Sequence, residues 1–223
     1  MLLLLVQPGG GCSRETPSQN TASIETVVSN TDSATLSDAK LVVAFGDSLF
    51  AGYNLPQGHG FAPVLERALA AKHENARVFN AGVSGDTSAD GVQRLAFVLD
   101  GLDRKPDLVI VGLGANDMLR GLSPEATRAN LDAILSELKR RKIETVLAGM
   151  LAAPNLGPDY AKSFNPIYPD LARKFDVALD PFFLEGVIGH RDRVLADGMH
   201  PNDRGIDTIV ARISPIVMEK LVD

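Results

Sequence analysis

Five short apolar runs, separated by amphipathic stretches with helical spacing, constrain the fold of this chain more than any other feature. Asp107–Leu113, the central run, carries no polar side chain after its first residue, which is typical of a parallel strand buried on both faces. This alternation predicts an α/β fold with a central parallel sheet of about five strands and right-handed crossovers. The predicted strands are Leu41–Phe45, Arg77–Asn80, Asp107–Leu113, Glu144–Met150 and Val177–Leu179.

The stretches between the strands carry helix signals. Ser123 and Pro124 are typical of the N-cap and the first helical position, so a helix is predicted from there to about Arg141. Pro166 and Pro169 must kink or divide a helix over Asp159–Phe175. The other predicted helices are Phe61–His73, Ala89–Leu99 and Asn202–Leu221.

Composition excludes several classes of protein. A chain of 223 residues fits one domain with a tail. Its formal charge of −6 argues against a nucleic-acid partner, and no apolar run approaches the ~18 residues that cross a bilayer. The one cysteine, Cys12, excludes an internal disulfide and a multi-cysteine metal site. Because no histidine pair has ligand spacing, no metal is expected, and no cofactor is expected either.

Residues 1–40 differ in composition from the rest. From Ser13 to Ala39 there are 11 Ser or Thr in 27 positions, which predicts a flexible tether before a domain over residues 41–223. Leu2–Val6 is an apolar stub that resembles the end of an export signal, with Cys12 as a candidate lipid-attachment site. The alternative is an ordinary N-terminus with an incidental cysteine. A periplasmic or exported protein, lipid-anchored or free, is expected, and a cytoplasmic one stays open.

Polar and glycine clusters follow several predicted strands, where the active groups of parallel sheets lie. Gly46-Asp47-Ser48 follows the first strand, Gly85 lies in the loop after the second, and Asn116 follows the central strand. Taken alone, the first two clusters are better explained as a helix cap and a turn, and Asn116 is equally well explained as a residue that caps its turn. Their joint occurrence at strand ends favours an active site.

His200 is the one histidine of four with a carboxylate three residues earlier, Asp197. A single turn then brings the carboxylate onto the imidazole Nδ1–H and leaves Nε2 free to accept a proton. The alternative is a surface salt bridge. His59 is expected at the edge of the site, and His73 and His190 in solvent.

One nucleotide-binding interpretation is rejected, and a second, a non-catalytic flavin module, is disfavoured but stays open. Gly112-Leu113-Gly114-Ala115-Asn116-Asp117 opens like a dinucleotide fingerprint, but Asp117 stands where the last glycine is required. A non-catalytic flavin module would need a phosphate loop after the first strand, where Asp47 places an acidic side chain.

The four clusters together resemble the GDSL, or SGNH, hydrolases. Gly46-Asp47-Ser48-Leu49 matches the first block of that family, Gly85 the second, Gly114-x-Asn116-Asp117 the third and Asp197-x-x-His200-Pro201 the last. Within the family the chain is most similar to the bacterial acyl-CoA thioesterase, lysophospholipase and arylesterase subgroup. Ala115 departs from that subgroup, which commonly has glycine there.

The resemblance implies a three-layer, flavodoxin-like α/β/α fold and ester hydrolysis by Ser48, His200 and Asp197. A serine needs a base and its oxyanion needs donors, which His200 and the oxyanion-hole residues Ser48, Gly85 and Asn116 would supply. The expected partner is a small acyl or aryl ester, including thioesters and lysophospholipids. A carbohydrate O-deacetylase or an acyltransferase on the same machinery is the alternative. The expected substrate-binding residues are Asp47, Gly85, Asn116 and Leu156.

Overall fold

The computed structural model describes residues 39–222, and these contain a five-stranded parallel sheet in the order β2-β1-β3-β4-β5. The predicted strands are confirmed, with ends shifted by one or two residues. Their bounds are β1 Lys40–Gly46, β2 Ala76–Gly82, β3 Leu108–Gly112, β4 Glu144–Ala148 and β5 Ala178–Asp180.

Helices cover both faces of the sheet. The longer ones are α2 Phe61–Ala70, α3 Ser88–Asp100, α5 Pro124–Arg140, α6 Gly157–Phe164, α7 Ile167–Phe175 and α8 Asp203–Val222. One layer contains α2 packed on α8, and the other contains α5 packed between α3 and α7. The predicted three-layer α/β/α architecture is confirmed.

Two short helices, α1 Ser48–Ala51 and α4 Ala115–Leu119, were not predicted. They begin directly beyond β1 and β3 and have only four and five residues, so the sequence pattern predicts a loop at both places. The predicted division of the helix at Pro166 is confirmed, since α6 ends and α7 begins on either side of Asn165-Pro166.

Three glycines make room for α1 across the carboxyl edge of the sheet. Gly46 lies in register between Gly82 on β2 and Gly112 on β3. A Cβ on Gly112 would stand 2.0 Å from the Phe50 ring, and one on Gly82 would stand 2.3 Å from the Ala51 nitrogen. Only glycines therefore let α1 lie directly against the strand ends.

Within residues 39–222, no helix is long and apolar enough to cross a membrane. The expectations for residues 1–38, including the tether and Cys12, lie outside the described residues.

Candidate active site

Ser48 is the first residue of α1, directly beyond β1. The preceding Asp47 is the N-cap, and its Oδ1 accepts a hydrogen bond from the Leu49 nitrogen at 3.0 Å. The helix ends one turn later at Gly52, whose φ of +81° is the left-handed conformation that favours glycine. The hydroxyl is thereby held at the start of a short, well-capped helix.

His200 reaches Ser48 from the loop between β5 and α8. An isolated antiparallel bridge joins Val194 to Pro201, and the Leu195 nitrogen donates to the His200 carbonyl at 2.7 Å. His200 Nε2 lies 2.9 Å from Ser48 Oγ, across 152 positions of sequence. The hydrogen-bonding distance between these two atoms makes proton transfer from the serine to the imidazole geometrically feasible.

Asp197 contacts the other side of the same ring. Its Oδ2 lies 2.7 Å from His200 Nδ1, while Oδ1 accepts from the Met199 and His200 nitrogens at 2.9 and 3.0 Å. These backbone hydrogen bonds, the one from Met199 first, lower the pKa of Asp197 to about 2. An ionised Asp197 accepts a hydrogen bond from Nδ1–H, which leaves Nε2 as the acceptor facing Ser48.

Gly85 and Asn116 stand beside Ser48 on the wall of the same cavity. Gly85 has φ of +90°, and Arg120 Nη2 donates to its carbonyl at 2.6 Å. Asn116 Nδ2 donates to the Asp86 carbonyl at 2.9 Å and lies 3.4 Å from Asp47 Oδ2. No residue in the described range 39–222 accepts from the backbone N–H groups of Ser48 or Gly85.

Asp47 does not reach the cavity. Its side chain is 1% exposed beneath α1, and burial, with the charges of Asp86 and Asp117 nearby, raises its pKa to about 7. The expectation that Asp47 contacts substrate is corrected by this burial. Its place is that of a cap under Ser48.

Two ionic groups to which the sequence analysis assigned no role support the loops of the site. Arg94 pairs with Asp86 at 2.5 Å and donates to the Ala81 and Gly46 carbonyls at 2.8 Å each, so one guanidinium ties β1 and β2 to the loop that carries Gly85. Asp117, beside Asn116, accepts from the Ser88 nitrogen at 2.8 Å and also from its hydroxyl. Arg94 lies within α3, and Asp86 lies in the loop before that helix, eight residues earlier. The sequence spacing of the two residues does not predict that they form an ion pair.

A cavity of about 760 Å³ opens beside Ser48 and His200. Most of its wall is apolar and comes from the loops after β3, β4 and β5. Its apolar wall includes Met118, Leu119, Met150, Leu151, Ala152, Ala153, Pro154, Phe182, Leu184, Ile188 and Met199. The size is that of a small-molecule site, and the wall favours an apolar substituent.

Leu156 does not line this cavity, which corrects its expected contact with substrate. It closes the 3₁₀ turn Pro154–Leu156 and packs against the hydrophobic core, while Pro154 and Asn155 face the cavity. The turn rotates the side chain by about a third of a revolution per residue.

Tyr53 is a residue of the site to which the sequence analysis assigned no role. Its ring centroid lies 4.4 Å from that of His200, with 34° between the planes, and it lines the cavity. No local pattern in the sequence indicates this contact, because the helix that ends at Gly52 is a single turn.

Comparisons with known proteins agree with this geometry. The GDSL-like lipase/acylhydrolase family model matches residues 44–207. The chain is 40% identical over 168 residues to the arylesterase of Vibrio mimicus, covering 75% of this chain and 82% of that protein. It is 38% identical over 164 residues to thioesterase 1/protease 1/lysophospholipase L1 of Escherichia coli, covering 74% of this chain and 76% of that protein.

A solved structure is similar over nearly the whole described region. The SGNH-hydrolase family esterase AlinE4 is 52% identical and has a TM-score of 0.71, with 82% of this chain and 97% of that chain covered. The predicted family and subgroup are therefore confirmed, and the protein is a GDSL-type esterase or thioesterase. The chain belongs to the GDSL-like lipase/acylhydrolase family.

Proposed function

We propose that Ser48, His200 and Asp197 form a catalytic triad that hydrolyses acyl and aryl esters, and acyl thioesters, through an acyl-enzyme. The observation that carries this proposal is the 2.9 Å contact of Ser48 Oγ with His200 Nε2 at the wall of an apolar cavity. A hydroxyl is a weak nucleophile until a base takes its proton. His200 is the group in reach.

In the first step, Ser48 Oγ attacks the carbonyl carbon of the ester while its proton moves to His200 Nε2. The imidazole becomes an imidazolium, held at Nδ1 by the carboxylate of Asp197 at 2.7 Å. Because the pKa of Asp197 is lowered to about 2, that carboxylate is charged at neutral pH. It orients the ring and stabilises its positive charge without taking the proton itself.

The carbonyl oxygen becomes an oxyanion in this step and needs donors already in place. The backbone N–H groups of Ser48 and Gly85 supply two. We assign the third to the Asn116 amide, because Asn116 lines the cavity beside Ser48; its Nδ2 also donates to the Asp86 carbonyl at 2.9 Å and lies 3.4 Å from Asp47 Oδ2. Donors that are oriented before the reaction lower the barrier without reorganising.

The intermediate then collapses. The bond from the carbonyl carbon to the leaving oxygen or sulfur breaks, and the leaving group takes the proton from His200 Nε2, which leaves an ester of Ser48. Water next gives a proton to the same Nε2 and attacks the acyl carbon. The acid is released and the proton returns to Ser48 Oγ.

The cavity wall supports apolar acyl or aryl groups as the substrate class. Its apolar side chains offer few hydrogen bonds to a polar ligand such as a sugar, and the chain has no Trp to stack on one. Related enzymes carry the names arylesterase, thioesterase and lysophospholipase. These names describe esters and thioesters with apolar acyl or aryl groups, which agrees with the proposed substrate class.

Steady-state kinetics on p-nitrophenyl esters of increasing acyl length, with acyl thioesters alongside, test the proposal. We expect turnover that depends on Ser48 and rises as the acyl chain fills the cavity. Ser48→Ala is the control, since it keeps the cavity and removes the nucleophile. A Ser48→Ala enzyme that hydrolyses these esters at the wild-type rate would reject the triad.

We further propose that residues 1–38, ahead of β1, form a tether to an exported domain and that Cys12 carries a lipid. The support is the Ser- and Thr-rich composition and the stub at Leu2–Val6. Labelled palmitate should enter the full chain expressed in a Gram-negative host and not its Cys12→Ser variant. Equal labelling of both would reject the anchor.

A further inference from the structure

The side chain of Tyr53 covers one face of the His200 imidazole. The ring centroids are 4.4 Å apart with 34° between the planes. The Tyr53 residue is 41% exposed, whereas the His200 side chain is 16% exposed. The phenol ring therefore stands between the imidazole and solvent on that side.

The backbone places this ring through the same segment that carries Ser48. Gly52 caps α1 with φ of +81°, which turns the chain back toward the start of the helix. The Tyr53 nitrogen then donates to the Ser48 carbonyl at 3.2 Å. This hydrogen bond ties the backbone of the residue that carries the ring to the backbone of the nucleophile.

The phenol hydroxyl takes no part in this arrangement. No residue within 39–222 forms a hydrogen bond with the Tyr53 hydroxyl. What contacts His200 is the aromatic face, which carries the negative part of the ring quadrupole.

We propose that Tyr53 is a positioning residue for the general base: its ring holds the His200 imidazole toward Ser48 and stabilises the imidazolium as it forms. The inference rests on the proposed function, because it requires His200 to become charged during the reaction. Cations over an aromatic face gain about 0.5–2 kcal/mol. The imidazole is neutral before attack and positive in the transition state, so the gain appears in kcat.

Several other charged or titratable groups lie on the loops and helices around His200, and each could affect its pH dependence. Asp197 from its own loop contacts Nδ1, and Asp47 lies under α1 behind Ser48. Asp203 at the start of α8 pairs with His59 of the loop before α2 at 3.2 Å. A substitution at Tyr53 replaces none of these groups, so a changed pH profile reports the loss of the ring.

The test compares Tyr53→Leu and Tyr53→Met, which keep an apolar cover and lose the ring, with Tyr53→Phe, which keeps the ring. Phe97→Leu is the matched control, because Phe97 is 82% exposed on α3 and does not line the cavity. Melting temperature and titration of reactive Ser48 with a phosphonate normalise each rate to folded sites. Esters with short and long acyl chains are compared over a range of pH.

We expect Tyr53→Leu and Tyr53→Met to lower kcat by about 2- to 30-fold, equally for short and long acyl chains. The acid limb of kcat/KM should move to lower pH, because the imidazolium loses a favourable partner while its apolar cover remains. Tyr53→Phe should restore the rate, and Phe97→Leu should match the wild type.

Three results would overturn the inference: a wild-type kcat in both ring-free variants, a loss confined to KM that grows with acyl length, or a Tyr53→Phe variant as slow as Tyr53→Leu. A failure of the triad itself is distinguishable. In that case Ser48→Ala keeps its activity, whereas an inactive Ser48→Ala beside fully active Tyr53 variants rejects only the role of Tyr53.

Discussion

The loop after β1 and the loop before α8 each bring an aspartate next to a reacting side chain, and the two carboxyl groups are in opposite electrostatic states. Asp47 precedes Ser48 and is 1% exposed, and its pKa is raised to about 7. Asp197 precedes His200 by three residues with its side chain 37% exposed, and its pKa is lowered to about 2. Both residues accept backbone hydrogen bonds from the residues that follow them.

The difference comes from burial and from the number of donors. Asp197 accepts from two backbone nitrogens and one imidazole nitrogen while water still solvates it. Asp47 accepts from the Leu49 nitrogen in a dry environment, with the acidic Asp86 and Asp117 nearby. A carboxylate that balances an imidazolium must stay charged, and Asp197, whose pKa is lowered, meets this condition better than Asp47, whose pKa is raised.

The largest expected effect separates these two aspartates by activity. Asp197→Asn should lower kcat by about 10³- to 10⁴-fold, because the amide no longer fixes the Nδ1–H tautomer or balances the imidazolium. Asp47→Asn should lower it by less than about tenfold, since an amide oxygen still accepts from Leu49. Steady-state kinetics on one ester measure both. Equal losses in the two variants would remove the contrast.

Asn116 lies between the two loops and gives the next largest effect. Asn116→Ala should lower kcat by about 10²- to 10³-fold, because one oxyanion donor is lost. KM for the same ester should change little, since the donor acts mainly in the transition state. Unchanged turnover in Asn116→Ala would mean that the wild-type amide serves only the structural hydrogen bond to the Asp86 carbonyl.

The last expected effect is on stability and has opposite signs for the two carboxyl groups. The folded pKa of Asp47, about 7, lies above its ordinary 3.8, so the stability that it contributes is present below about 3.8 and is lost as pH rises through 7. Relative to Asp47→Asn, the wild type should lose on the order of a few kcal/mol of unfolding free energy between pH 4 and pH 7.

Asp197 behaves in the reverse sense. Its contribution is present above about 3.8 and is lost as pH falls through about 2, and solvent screening keeps it small. Urea unfolding of the wild type and both Asn variants at several pH values measures both trends. A difference between wild type and Asp47→Asn that is constant with pH would mean that Asp47 stays ionised in the folded protein.

The sequence predicted the strands well because their β-branched, apolar runs reflect burial on both faces, which is a local property. It also predicted that Ser48, Asn116 and His200 lie at one edge of the sheet, since parallel strands place their carboxyl ends together. The contact of Asp197 with His200 was predicted from their three-residue spacing alone. The four clusters therefore converge as expected.

The remaining features depend on relations that spacing does not carry. Tyr53 meets His200 only because Gly52 reverses the chain after a one-turn helix, and such short helices have no periodicity to detect. Leu156 turns into the core because of a 3₁₀ turn. The burial of Asp47 depends on how closely α1 lies on Gly46, Gly82 and Gly112, a tertiary contact that no single run of residues reveals.

The most direct test of the Ser48–His200 pairing is covalent labelling by a fluorophosphonate, followed by intact-protein and peptide mass spectrometry. One label per chain should appear on the peptide containing Ser48, and the labelling rate should fall by orders of magnitude in His200→Ala, since the base activates the hydroxyl. Labelling at another residue, or a rate unchanged by His200→Ala, would contradict the mechanism.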